Sequence, residues 1–95
     1  MSPKKLKKLS KLRKKLDLID NKMLNLVGQR GRLVKRVLEL KQYKSQIVDR
    51  KRINQVLKRI KKMSIQKKID SKVSNRIWKN MIAGFINLQR KNFKK

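Results

Sequence analysis

One long apolar repeat runs through the first half of this 95-residue chain, in the steps of three and four residues that form one face of an α-helix. Its members are Leu9, Leu12, Leu16, Ile19, Met23, Leu26, Leu33, Val37 and Leu40. A second row beside it consists of Leu24, Val27, Gly31, Val34 and Leu38. Because no proline interrupts the pattern before Tyr43, the sequence predicts one helix from about residue 9 to about residue 43.

Two shorter apolar repeats predict two further helices. The second helix covers about residues 50–64, with Asp49 as its N-cap. The third begins at a cap formed by Asp70 or Ser71 and ends near Lys91. The apolar faces are Ile53, Val56, Leu57, Ile60 and Met63 on the second helix, and Val73, Ile77, Met81, Ile82, Phe85 and Leu88 on the third.

These repeats predict an all-α chain of three helices, one long and two shorter. Residues 44–48 and 65–69 connect the helices, and residues 9–92 form one helical domain. The basic residues 1–8 are expected to be a disordered arm, because such a composition buries little apolar surface.

The length of the first helix predicts a homodimer. About 35 residues in a helix span ~50 Å, whereas a compact domain of this size measures roughly 30 Å across. Its apolar face therefore extends beyond its own domain, and a second copy related by a two-fold axis would cover it. The alternative is a helix that is bent or broken between Gly28 and Gly31.

Composition excludes several kinds of chemistry. The chain has no cysteine and no histidine, which excludes disulfides and histidine catalysis, and its five acidic residues are scattered, so no metal site is expected. The net charge of +26 favours an anionic partner. No run of about 18 apolar residues and no secretory signal is present, so the cytoplasm is the expected location.

Arg30 interrupts the first apolar row at the position between Leu26 and Leu33. A buried cation without a partner is costly, and a bound anion would compensate it. Lys41 follows eleven residues later, three helical turns on, and would face the same way. Arg13 lies ~42 Å from Lys41 along the same helix. In an antiparallel dimer, however, Arg13 of one copy reaches the space between Arg30 and Lys41 of the other, which predicts a shared site for a ligand with two negative groups.

Four segments in order resemble the AroQ-class (type II) chorismate mutase family over about residues 9–90. They are Leu12-Arg13-Lys14-Lys15-Leu16-Asp17-Leu18-Ile19-Asp20, Gln29-Arg30-Gly31-Arg32-Leu33-Val34 through Lys41, Val48-Asp49-Arg50-Lys51-Arg52, and Ile69-Asp70 with Gln89 beyond it. The resemblance implies an intertwined homodimer of three-helix chains with two active sites. The implied reaction is the Claisen rearrangement of chorismate to prephenate in aromatic amino-acid biosynthesis, which needs no cofactor.

The resemblance also implies roles for individual residues. Arg13 of the partner and Arg30 would bind the two substrate carboxylates. Lys41 and Gln89 would donate hydrogen bonds to the ether oxygen that leaves. Catalysis would come from holding the dianion in its reactive conformer and stabilising charge on that oxygen.

The third segment follows the family pattern, but two later positions depart from it. Arg52, with Asp49 beside it, would complete a basic wall around the substrate. The family has a glutamate where this chain has Ile53, and commonly a serine where it has Phe85. Both changes replace a polar contact by an apolar one and predict low mutase activity.

Three alternatives to an efficient mutase remain open. The first is isochorismate-pyruvate lyase, a relative with an aliphatic and a bulky aromatic residue at these two positions, although Asp49 follows the mutase pattern. The second is a weakened or repurposed site, and the third is a non-enzymatic, basic helical protein that binds nucleic acid. Because the aromatic residues are few and far apart, nucleic-acid binding is expected to be weak and non-specific at most.

Overall fold

The computed structural model describes residues 1–94, and over that range the prediction of an all-helical chain is confirmed. The helices are α1 (Pro3–Glu39), α2 (Arg50–Gln66) and α3 (Ser71–Asn92), and a single 3-10 turn at Lys44–Gln46 lies between α1 and α2. The chain divides into two structural units between Leu33 and Val34. None of the described helices is long and apolar enough to cross a membrane.

Helix α1 begins at Pro3, so it includes residues 3–8 of the basic arm that was expected to be disordered. Ser2 caps the helix, because its Oγ accepts a hydrogen bond from the backbone N of Lys5 at 3.3 Å. Pro3 stands at the first helical position, where its fixed φ suits a helix and its missing N–H costs nothing. Leucine and lysine, both good helix formers, continue the helix from there.

The same helix ends at Glu39, four residues earlier than predicted. The side chain of Gln46 explains the early end, since its Oε1 accepts hydrogen bonds from the backbone N–H groups of Gln42 at 2.8 Å and Tyr43 at 2.9 Å. A continuing helix would use those two N–H groups for its own carbonyls. Lys41 therefore lies outside the helix, and the expectation that it follows Arg30 by three helical turns is wrong.

Both shorter helices start at the predicted caps. Oδ1 of Asp49 accepts from the backbone N of Arg52 at 3.0 Å, and Oδ1 of Asp70 accepts from that of Lys72 at 2.9 Å. Helix α2 runs two residues further than predicted and α3 one residue further. The turn between them contains Lys68 at a φ of 58°, a left-handed conformation that glycine adopts more easily.

Helices α2 and α3 pack against each other in the second structural unit. Ile47, Val56 and Ile60 are buried there. Ser64 on α2 and Ser74 on α3 are also buried, and their hydroxyl oxygens lie 2.6 Å apart in a hydrogen bond. Much of the predicted core stays open to solvent, however. The residues of the predicted apolar faces that remain exposed on these helices are Met63, Val73, Ile77 and Leu88.

Candidate functional site

Lys41 and Gln89, which are 48 positions apart in the sequence, meet in the second structural unit. Nζ of Lys41 donates to Oε1 of Gln89 at 3.2 Å and makes a longer bond to the backbone oxygen of Ile47 at 3.5 Å. An ammonium group has three N–H donors, so these two bonds leave one for a ligand. Because Oε1 of Gln89 is the acceptor, its Nε2 offers two further donors. The pair thus places hydrogen-bond donors of Lys41 and Gln89 close to each other.

Local structure on both sides holds this pair. Gln89 belongs to the last turn of α3 and is buried. Lys41 is half-buried in the connector after α1. That connector is fixed at its far end by Ile47, which is only 3% exposed, and in its middle by the amide of Gln46. The two donors are therefore positioned by buried or hydrogen-bonded neighbours, which limits the entropy that ligand binding would cost.

An open cavity of about 750 Å³ lies beside Lys41. The residues that line it, all from the second structural unit, are Val37, Leu40, Lys41, Gln46, Val48, Asp49, Arg50 and Arg90. Three of these side chains are cationic and one is acidic. Its volume falls in the range of roughly 300–1,000 Å³ typical of small-molecule sites. The charge balance of its lining suits an anionic ligand.

The cavity contains two arginines that the sequence analysis did not single out, Arg50 and Arg90. Each directly follows a predicted site residue, Asp49 in one case and Gln89 in the other. That adjacency was the only signal in the sequence, and it is weak because neighbouring residues of a helix point about 100° apart.

Four predicted site residues of the second structural unit are not part of this lining, namely Gln89, Arg52, Ile53 and Phe85, although Gln89 is bonded to Lys41, which does line the cavity. Arg52 is exposed on α2, whereas Ile53 on α2 and Phe85 on α3 are half-buried. Asp49 does line the cavity, but one of its carboxylate oxygens accepts from the backbone N of Arg52 as the cap of α2. Part of its acceptor capacity is therefore used by the helix.

The two predicted carboxylate ligands, Arg13 and Arg30, belong to the first structural unit. Both lie on α1, where Arg13 is exposed and Arg30 is half-buried. Seventeen residues of helix separate them, which corresponds to about 25 Å along the axis. A small dianion cannot touch both of these arginines within one copy of α1.

Comparison with known proteins gives two concordant matches. Residues 12–90 match the family model described as chorismate mutase type II. A chorismate mutase of Methanocaldococcus jannaschii is 36% identical over 78 residues, which cover 81% of this chain and 79% of that protein. No solved structure gives a significant match. The matched range begins at Leu12, so the first nine residues of α1 precede it.

Proposed function

This chain belongs to the chorismate mutase type II family, and we propose that it is an isomerase that converts chorismate to prephenate. The observation that carries this proposal is the hydrogen-bonded pair of Lys41 and Gln89 beside a cationic cavity. The rearrangement is intramolecular: one C–O bond of the ether breaks while one C–C bond forms. No nucleophile and no proton transfer are needed.

The role proposed for Lys41 and Gln89 follows from where negative charge develops during the rearrangement. As the C–O bond breaks, the ether oxygen gains negative charge, and donors aimed at that oxygen stabilise the transition state more than the ground state. Lys41 supplies a positively charged donor, and Nε2 of Gln89 supplies a neutral one. Their mutual hydrogen bond holds both before the substrate arrives.

The proposed active site is completed by a second copy of the chain. Arg13 and Arg30 are too far apart along α1 to bind one small substrate, so Arg13 is assigned to the partner's site and Arg30 to its own. An antiparallel partner would also cover the apolar face of α1, where Leu12 and Leu16 are each 57% exposed. Burying a leucine side chain contributes about 1.5–3 kcal/mol, so a homodimer is favoured by the same pairing.

Ile53 and Phe85 support a second candidate, isochorismate-pyruvate lyase. A mutase of the family pattern would use a carboxylate at position 53 as acceptor for the ring hydroxyl of chorismate. Ile53 is half-buried and offers no acceptor. The proposed mutase is therefore slow. A substrate with its hydroxyl elsewhere on the ring, such as isochorismate, would lose no hydrogen bond when the glutamate of the family is replaced by Ile53.

Product analysis tests the proposal. The pure protein is incubated separately with chorismate and with isochorismate, and the products are identified by chromatography. We expect prephenate from chorismate, formed faster than in buffer, and loss of that activity in Lys41→Met. Salicylate and pyruvate from isochorismate, without prephenate from chorismate, would establish the lyase instead. An absence of product from both substrates would contradict both enzymatic functions.

A further inference from the structure

Arg50 and Arg90 are the two arginines of the cavity beside Lys41. Arg50 is the first residue of α2, and Arg90 lies in the last turn of α3, so they reach the cavity from different helices. Both side chains are exposed, which leaves their guanidinium groups accessible to a ligand. The acidic residue of the lining, Asp49, already accepts from the backbone of α2.

Helix geometry separates Arg50 from Arg52, the residue that the family resemblance assigned to the basic wall. Two residues along an α-helix correspond to a rotation of about 200°, so their side chains leave α2 on nearly opposite sides. Arg50 lines the cavity, and Arg52 is not among its lining residues. Within the described residues, α2 therefore presents Arg50, and not Arg52, to the space beside Lys41.

We infer that Arg50 and Arg90 are further substrate-binding residues of this enzyme, and that at the open side of the cavity they share in binding one of the two substrate carboxylates for which the resemblance implies Arg13 of the partner and Arg30. This inference rests on the proposed function. Guanidinium groups bind carboxylates through paired, charge-assisted hydrogen bonds. The carboxylate keeps its charge throughout the rearrangement, so these contacts stabilise the bound substrate and the transition state equally. Such uniform binding lowers KM and leaves kcat unchanged.

Steady-state kinetics with chorismate test the inference in Arg50→Gln, Arg90→Gln and the double variant. We expect KM to rise about 5- to 30-fold in each single variant, the effect of a charged hydrogen bond at a partly solvated site, and further in the double variant. The value of kcat should stay within about twofold, since uniform binding is all that is removed. Arg52→Gln should raise KM less than either. Arg76→Gln, an equal loss of charge at an exposed position on α3, is the matched control and should not change KM.

Two kinetic results would overturn the inference. One is a KM that rises in Arg52→Gln but not in the cavity variants. The other is a fall in kcat at constant KM in the cavity variants. If the parent protein forms no prephenate, the proposed function fails separately, and isothermal titration calorimetry with prephenate decides about the arginines. Weaker binding by the double variant than by Arg76→Gln supports them, whereas equal binding, or no binding by the parent, overturns the assignment.

Discussion

Nζ of Lys41 and Oε1 of Gln89 are joined by a hydrogen bond of 3.2 Å. The lysine follows α1 and the glutamine belongs to α3, so this one contact ties the end of the first helix to the last turns of the third. In the proposed mechanism, the same contact orients two donors toward the breaking ether bond. The hydrogen bond between Lys41 and Gln89 therefore stabilises the packing of the connector on α3 and also lies at the centre of the candidate site.

Removing either donor should slow the rearrangement strongly. In Lys41→Met and in Gln89→Leu we expect kcat to fall by about 10²- to 10³-fold, the usual effect of deleting one donor that stabilises a developing oxyanion. Because the two side chains hold each other, the double variant should lose less than the product of the single losses. Lys44→Met, which removes an exposed lysine of the same connector, is the control. A loss of kcat in the double variant that equals the product of the two single losses would show that Lys41 and Gln89 do not act as a unit.

Mixing two inactive variants tests the sharing of sites between chains. Arg13→Ala and Arg30→Ala should each be nearly inactive alone. After subunit exchange, half of the dimers are mixed, and each mixed dimer regains one intact site, so activity should return to about a quarter of the parent value. Light scattering should show a dimer throughout. A stable monomer at micromolar concentration, or no recovery on mixing, would argue against the shared site.

The direction in which one substitution changes mutase activity distinguishes a slow mutase from a lyase. Ile53→Glu restores an acceptor for the ring hydroxyl, and an unpaired buried hydroxyl costs ~1–3 kcal/mol. Mutase activity, measured as prephenate output, should therefore rise about 5- to 150-fold. Ile65→Glu makes the same chemical change at an exposed position of α2 and should have no such effect. Salicylate formation that is present in the parent and lost in Ile53→Glu would identify the lyase.

The buried serine pair predicts non-additive stability changes. Oγ of Ser64 also donates to the backbone oxygen of Ile60 at 2.6 Å, and Oγ of Ser74 reaches that of Asp70 at 3.3 Å. Ser64→Ala or Ser74→Ala should lower the free energy of unfolding by about 1 kcal/mol, since the remaining hydroxyl loses one of its two hydrogen-bond partners. The double variant should lose less than the sum, because both polar groups are then gone. Urea denaturation measures all three, and strict additivity would show that the two hydroxyls are not coupled.

Nucleic-acid binding should depend on charge alone. Duplex DNA should bind weakly and with a steep loss of affinity as salt rises, because only phosphates are contacted. Fluorescence anisotropy compares two quadruple lysine-to-glutamine variants with equal charge loss, and both should weaken binding alike. Their sites are Lys4, Lys7, Lys8 and Lys11 in one variant and Lys51, Lys58, Lys61 and Lys62 in the other. Sequence-specific binding at physiological salt would instead support a nucleic-acid function.

Local patterns in the sequence determined the helices and the family. Apolar spacing placed three helices in the right order, and the short-range preference of aspartate for N-caps placed Asp49 and Asp70 correctly. Gln89 was singled out from the resemblance alone, whereas Lys41 was also singled out by its spacing from Arg30, and the structure brings the two together. Such features depend on neighbours within a few residues or on whole motifs, both of which a sequence displays directly.

Only the tertiary structure decided where α1 ends and which cations share the cavity. The amide of Gln46 ends the helix by capturing two backbone N–H groups, a competition that apolar spacing does not reveal. Arg50 and Arg90 line the same cavity as Lys41, and the packing of α2 on α3 fixes the rotation of both helices about their axes. That rotation results from side chains far apart in the chain, and for this reason periodicity within one helix could not predict it.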